Sequence, residues 1–301
     1  MPSFRAAPVR VRVPATSANL GPAFDSAGLA LALYDDVVVR VADSGLVVDV
    51  AGEGAGDLPR DRRHLVVKSL RAAFAVLGGQ PRGLEVVCAN RIPQSRGLGS
   101  SSAAIVAAVV AARALVLGGE EQLDDDAALA LATSLEGHPD NVAACLRGGL
   151  TFAWTGPTGV RVHRVDVHPD LAPVAFVPSS RASTRKARGL LPETVPHADA
   201  AANSARTALL ALAMTRSPEL LLDATEDRLH QSYRASAWPR SAALVGALRA
   251  DGIPAVISGA GPTVLALTTR ASLEAVAGRH HRGWEVHPLA VEQAGATVVP
   301  L

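Results

Sequence analysis

The chain has 301 residues, of which 49% are apolar, enough for a substantial core in two domains or one large one. Its 29 basic and 28 acidic residues nearly cancel to a formal net charge of +1, aromatic residues make up 3%, and no basic block stands out, which argues against nucleic-acid binding. No uninterrupted apolar run reaches the ~18–20 residues of a bilayer span, since the longest, 103–117, is broken by Arg113, so no membrane association is expected.

Residues 1–10 hold no apolar segment of the kind found in secretion signals. Cys88 and Cys145 each lie in an apolar stretch and read as buried thiols in a reducing compartment, so a cytoplasmic protein is expected. Residues 9–13 alternate and predict a first strand that ends at Pro14. Residues 14–25 are turn-rich and hold Asn19 and Asp25, residue types common in turns for local reasons. Strands are predicted over 34–41 and 46–50 with a turn at Asp43-Ser44-Gly45, then a polar loop over 52–63 and a helix over 64–77 stopped by Gly78-Gly79. A strand at 83–88 leads into Pro93-Gln94-Ser95-Arg96-Gly97-Leu98-Gly99-Ser100-Ser101-Ser102-Ala103 and then into the apolar helix 103–117.

An acidic loop over 120–126 caps a helix near 127–135, which delivers Glu136-Gly137-His138-Pro139-Asp140-Asn141 to a short helix ending at 146. A strand at 150–154 precedes Gly156-Pro157-Thr158-Gly159, the best boundary in the chain, dividing it into 1–156 and 157–301. Beyond it come strands at 160–167 and 174–177, a polar loop over 178–192 with a cationic run at 183–188, and helices at 198–214 and from 218 to 222. The segment Asp227–Arg234 and a helix at 239–250 follow. Strands at 255–257 and 264–267 flank Ser258-Gly259-Ala260-Gly261-Pro262-Thr263, which a simple hairpin would also explain, and a helix at 272–277 and a strand at 284–289 close the pattern. The order predicts an α+β sandwich with a mainly antiparallel sheet.

The stretch from Pro93 to Ala103 organises this pattern. Glycines permit backbone conformations and close approaches that a side chain blocks, and serines at 100–102 occupy the expected helix N-cap. A glycine loop feeding a helix start aims several amide N–H groups outward, with the positive end of the helix dipole behind them: an anion cradle, most simply for phosphate. No Gly-Lys-Ser/Thr follows, so it is not a Walker A loop, and the stretch holds no Gly-x-Ser-x-Gly, so it is not a hydrolase elbow. Only two lysines, Lys68 and Lys186, occur in the chain and neither is near, so a metal is needed to offset nucleotide charge. In 136–141, a capping role for Asp140 and a structural one for His138 would leave Glu136 unexplained.

Together, five segments resemble the homoserine kinases, a branch of the GHMP small-molecule kinases: residues 14–25, Gly97-Leu-Gly-Ser-Ser101, Glu136-Gly-His-Pro-Asp-Asn141, 183–188, and Ser258-Gly-Ala-Gly-Pro-Thr263. Asp227-Arg-Leu-His-Gln-Ser-Tyr-Arg234 is similar to a segment of the same family. The resemblance implies a two-domain fold, the N-terminal half like ribosomal protein S5 domain 2 and the C-terminal half ferredoxin-like, with the active site between them. It implies ATP-dependent phosphorylation of the side-chain hydroxyl of L-homoserine for threonine synthesis, with a homodimer as the expected assembly. By position, residues 93–103 would wrap the nucleotide phosphates, and Ser101 and Glu136 would hold Mg²⁺. Asn19, Asp25, His138, Asp140 and Asn141 would line the substrate pocket, Arg188 and Arg234 would bind the carboxylate, and Gly259, Ala260 and Gly261 would close the site. Asp140 would accept the hydroxyl proton or bind substrate. Ala23 stands where the family usually has Gly, and Ser102 where it has Ala; Ser102 is assigned no metal role. The alternatives are a GHMP kinase acting on a mevalonate-like or sugar alcohol, and a non-catalytic nucleotide or amino-acid sensor.

Overall fold

A computed structural model describes residues 2–181, 184–279 and 282–301, with the backbone alone of Thr184 and Arg185; Ser183, part of the resemblance, lies outside the described residues. Strand β1 (Val9–Ala18) does not stop at Pro14: a register shift between Pro14 and Ala15 lets it continue, and every residue from Val13 to Ala18 is buried. Pro14 cannot donate to the ladder, and an irregularity is where a strand tolerates it. β2 (Ala27–Ala42) runs antiparallel to β1. The turn at 43–45 does not make a hairpin of β2 with β3 (Gly45–Gly52). Helix α1 (Leu65–Val76) intervenes, and β4 (Gly83–Asn90) inserts between them, antiparallel to β2 and parallel to β3.

Helix α2 (Ser100–Leu115) follows, with every residue from Ile105 through Ala112 buried, as an apolar-all-round helix must be. The short α3 (Gly119–Gln122) leads to α4 (Asp125–Glu136), whose N-cap Asp124 accepts from the Ala127 amide at 2.9 Å. After α5 (Pro139–Arg147), β5 (Leu150–Gly156) pairs with the start of β2. Helices α1, α4 and α5 pack around α2, and α2 and α5 lie on β1 and β2.

The predicted boundary at 156/157 falls in a tight hairpin: β6 (Gly159–Val165) pairs with β5 in the first sheet. The chain then enters a second, wholly antiparallel sheet through β7 (Val174–Pro178). The predicted polar loop holds a short helix, α6 (Thr184–Arg188), before α7 (His197–Thr215), α8 (Leu221–Ala224), α9 (Gln231–Arg234) and α10 (Pro239–Ala250). β8 (Ala255–Ile257) and β9 (Val264–Ala266) form the expected hairpin. After α11 (Leu273–Ala277), β10 (Trp284–Pro288) completes the order β10-β7-β9-β8, with its own core of Phe176, Trp238, Leu248 and Ile257. Strand β11 (Thr297–Val299), too short to read from the sequence, returns to the first sheet beside β1.

Candidate active site

The glycine–serine loop meets α2 differently from the capped turn expected. Gly99 is the N-cap, in the left-handed region at φ 71°, and no side chain caps the helix. The amides of Ser100, Ser101 and Ser102 therefore have no partner among the described residues. The serines turn elsewhere: Ser101 and Ser102 both donate to Oε1 of Glu136, at 2.6 and 2.8 Å. Glycine is required by contact as well as by dihedral angle. A Cβ on Gly99 would lie 1.9 Å from Thr16 Oγ1, and one on Gly97 would lie 2.3 Å from the Ser258 carbonyl.

That second contact shows what the β8–β9 turn does. Ser258 Oγ donates to the Gly97 carbonyl at 2.6 Å, the Thr263 amide to the Arg96 carbonyl at 3.1 Å, and the Gly259 amide to the Ala18 carbonyl at 3.1 Å. Trp238 Nε1 holds the Ala260 carbonyl at 3.0 Å. Arg96 points away from the loop's open side, donating to the carbonyls of Pro178 and Ser179.

A cavity of about 1170 Å³ opens along the loop. Gln94, Ser95, Gly97, Gly99, Ser100, Ser101, Ala103 and Glu136 border it, as do Asn19, Asp25, His138, Asp140, Asn141, Arg188, Arg234, Gly259 and Ala260. Pro93, Arg96, Leu98, Ser102 and Gly261, also singled out from the sequence, are not among the lining residues, although Ser102 donates to Glu136, which is.

At one end the charges are arranged in pairs. Arg188 makes a two-pronged ion pair with Asp25, both bonds 2.8 Å, so the two groups expected to take opposite ends of a substrate hold each other. Asn19 spends its amide on the Gly259 carbonyl and the Asp25 amide, at 3.0 and 2.9 Å, so it shapes this corner. Asp140 is 2% exposed; its Oδ1 takes the Asn141 amide at 2.7 Å and His138 Nδ1 at 2.6 Å. That hydrogen bond, with Asp140, Glu136 and Asp25 close by, raises the His138 pKa against the effect of burial. Asn141 Oδ1 accepts from Thr16 Oγ1 at 2.7 Å. Arg234 is 2% exposed and its Nε has no partner among the described residues; burial, then the neighbouring Arg188, lowers its pKa.

At the other end the wall is apolar, with Val37, Leu58, Val66 and Cys88, and carries three polar groups that went unread in the sequence. His64 is 3% exposed with neither ring nitrogen partnered among the described residues, and burial lowers its pKa. Asp35 accepts the amides of Arg91 and Ile92 at 2.6 and 2.9 Å, and burial pushes its carboxyl up to about 6. Asn90 completes the set. An isolated His before a helix and an Asp inside a strand carry no motif; only tertiary packing brings them together.

For a divalent cation, Ser101 Oγ and Glu136 Oε1 offer hard oxygen donors beside the uncapped helix start. Among the described residues no cluster of three His, Cys, Asp or Glu side chains could enclose a metal unaided. This donor set fits Mg²⁺, which keeps waters and phosphate oxygens as its other ligands.

Comparison with known proteins agrees with this geometry. The family model for the GHMP kinases N terminal domain matches residues 64–149, and that for the GHMP kinases C terminal matches residues 200–285. Fold and site thus define a GHMP kinase of two-domain, mixed helix-and-sheet build. The chain is 65% identical over 300 residues to the homoserine kinase of Streptomyces avermitilis, covering 100% of this chain and 98% of that one. It is 52% identical over 296 residues to that of Clavibacter michiganensis subsp. michiganensis, covering 96% and 93%. The crystal structure of homoserine kinase from Cytophaga hutchinsonii superimposes with a TM-score of 0.81 at 25% identity, covering 99% of each chain. The chain belongs to the homoserine kinase family.

Proposed function

We propose that the protein transfers the γ-phosphoryl group of ATP to the side-chain hydroxyl of L-homoserine, giving O-phospho-L-homoserine for threonine synthesis, in the cytoplasm and as a homodimer. The observation that carries the substrate is the corner beside the loop. A buried Arg234, which forms no ion pair among the described residues, and the Asp25–Arg188 pair offer cations for a carboxylate and an anion for an ammonium, which is what a zwitterionic amino acid needs.

The uncapped amides of Ser100 to Ser102 and the loop backbone would cradle the phosphates. The end with His64, Cys88 and Asn90 would take the base, because an apolar wall beside the unpartnered His64 ring suits a heteroaromatic ring. Ser101 and Glu136 would hold Mg²⁺, which when bound supplies neutralising charge for the transferring group. Phosphoryl transfer through a loose transition state needs alignment and charge stabilisation more than a strong base. The loop amides supply fixed dipoles that need no reorganisation. Asp140 would take the hydroxyl proton or bind substrate through Oδ2, which stays outside the network in which His138 and the Asn141 amide hold Oδ1.

Release of ADP, measured with MgATP and a panel of L-homoserine, mevalonate and galactose, tests the reading. Turnover of L-homoserine far above the others is expected. Preference for mevalonate or galactose, or ATP binding with no turnover of any alcohol, would overturn it. In the same assay Asp140→Asn is expected to lower kcat by roughly 10²–10⁴-fold; a change confined to KM assigns Asp140 to binding alone.

A further inference from the structure

Phe24 has no part in the chemistry above, yet both carboxylate-binding arginines converge on it. The guanidinium carbon of Arg234 lies 4.9 Å from the ring centroid and that of Arg188 lies 5.5 Å from it. The ring borders the cavity. We propose that Phe24 is a positioning residue, a platform that holds the Arg234 guanidinium for a substrate carboxylate without consuming its N–H donors, beside an Arg188 that Asp25 already fixes. The inference rests on the carboxylate reading of this corner.

A buried guanidinium is normally fixed by a protein carboxylate, which uses the same donors a substrate would need. Arg234 is fixed differently. Among the described residues it forms no ion pair, its Nε has no partner, and the ring faces its guanidinium. An aromatic face attracts a cation through its quadrupole and leaves the in-plane N–H groups pointing outward. It also offsets the repulsion between two neighbouring cations, which is felt at Arg234.

The platform is itself held. His230 stacks on Phe24 with centroids 5.0 Å apart and planes inclined by 27°. His230 Nε2 donates to the Gly21 carbonyl at 2.7 Å, and burial lowers the pKa of the ring. Asp227 in turn accepts the amides of Leu229, His230 and Gln231, fixing the start of α9 and so the base of Arg234. On the other side, the Asp25 amide is tied to Asn19.

The test replaces Phe24 in the full-length enzyme by mono-, di- and trifluorinated phenylalanine, which keep the ring's shape and progressively drain its negative face. KM for L-homoserine is expected to climb with each fluorine, reaching roughly tenfold at three, while kcat and the Kd for ATP stay within about twofold. The amino alcohol that is homoserine without its carboxylate (aminopropanol) serves as control, and its KM is expected not to respond. A flat KM for L-homoserine across the series, while Arg234→Leu still raises it, overturns the platform and leaves the carboxylate reading standing. Arg234→Leu without effect on KM, or a wild-type enzyme indifferent to the missing carboxylate, overturns both.

Discussion

Asp35 sits in an apolar wall with two backbone amides on one oxygen, and burial outweighs them: its carboxyl is pushed from 3.8 to about 6. The folded chain therefore holds this proton more tightly than the unfolded one. Stability attributable to the group falls as pH rises from about 4 to about 6 and stays lower above that window. Asp35→Asn keeps an oxygen for both amides and removes the ionisation. It is expected to stabilise the protein by up to ~3 kcal/mol near pH 8 and by little near pH 4. Urea unfolding at the two pH values checks this, and a variant less stable than wild type at the higher pH would refute it. Nothing local marks Asp35 or His64, because their significance comes from a cavity wall assembled from β2, β4 and the start of α1. Asp25, Arg188, Asp140 and Arg234 were legible because they sit in segments whose residue order is itself distinctive, although the ion pair joining Asp25 to Arg188 across 163 positions was not.

At the scale of elements, the start of α2 decides the site. The glycine doublet marked the loop in the sequence, while the serine run suggested a side-chain cap. Both clues were local; the outcome was set by Glu136 at the end of α4, which draws the hydroxyls of Ser101 and Ser102 away from the helix end. The amides stay open for an anion as a result. Gly99→Ala places a methyl against Thr16 Oγ1 at a positive φ, and Asn141 Oδ1 lies 3.3 Å from the same point. The substitution strains the turn and pushes apart the Thr16–Asn141 bond. It is expected to cost about 2 kcal/mol or more of stability and to raise KM for both ATP and the alcohol. Gly56→Ala, where a Cβ meets nothing within 4 Å, is the control expected to change neither. A Gly99→Ala enzyme with normal stability and normal KM for ATP would show that the loop's shape does not depend on this contact.

At the scale of the whole molecule, the two sheets are not two beads on a string. The turn of the second sheet's β8–β9 hairpin carries the first sheet's glycine–serine loop, and the end of the chain returns to the first sheet. The sequence showed a restart after Gly159 but not this return, because a three-residue strand has no periodicity to read. The return is well fastened. The Ala32 amide bonds the Ala290 carbonyl at 2.9 Å, the Glu292 amide bonds the Ala30 carbonyl at 3.0 Å, Tyr34 donates to Glu292, and β11 covers the outer edge of β1. Ending the chain after Leu289 removes these bonds, each worth about 0.5–1.5 kcal/mol, and bares the edge of the strand that leads to Thr16 and Asn19. If the C-terminal half were an independent domain, such a cut would loosen the second sheet. The observed pairing requires the opposite: amide exchange quickens in β1, in the start of β2 and in the Gly97–Ser101 loop, while β7 and β9 keep their protection. Because the loop rests on β1 through the Thr16 amide, which bonds the Leu98 carbonyl at 3.0 Å, ATP affinity is expected to fall with it, although no deleted residue borders the cavity.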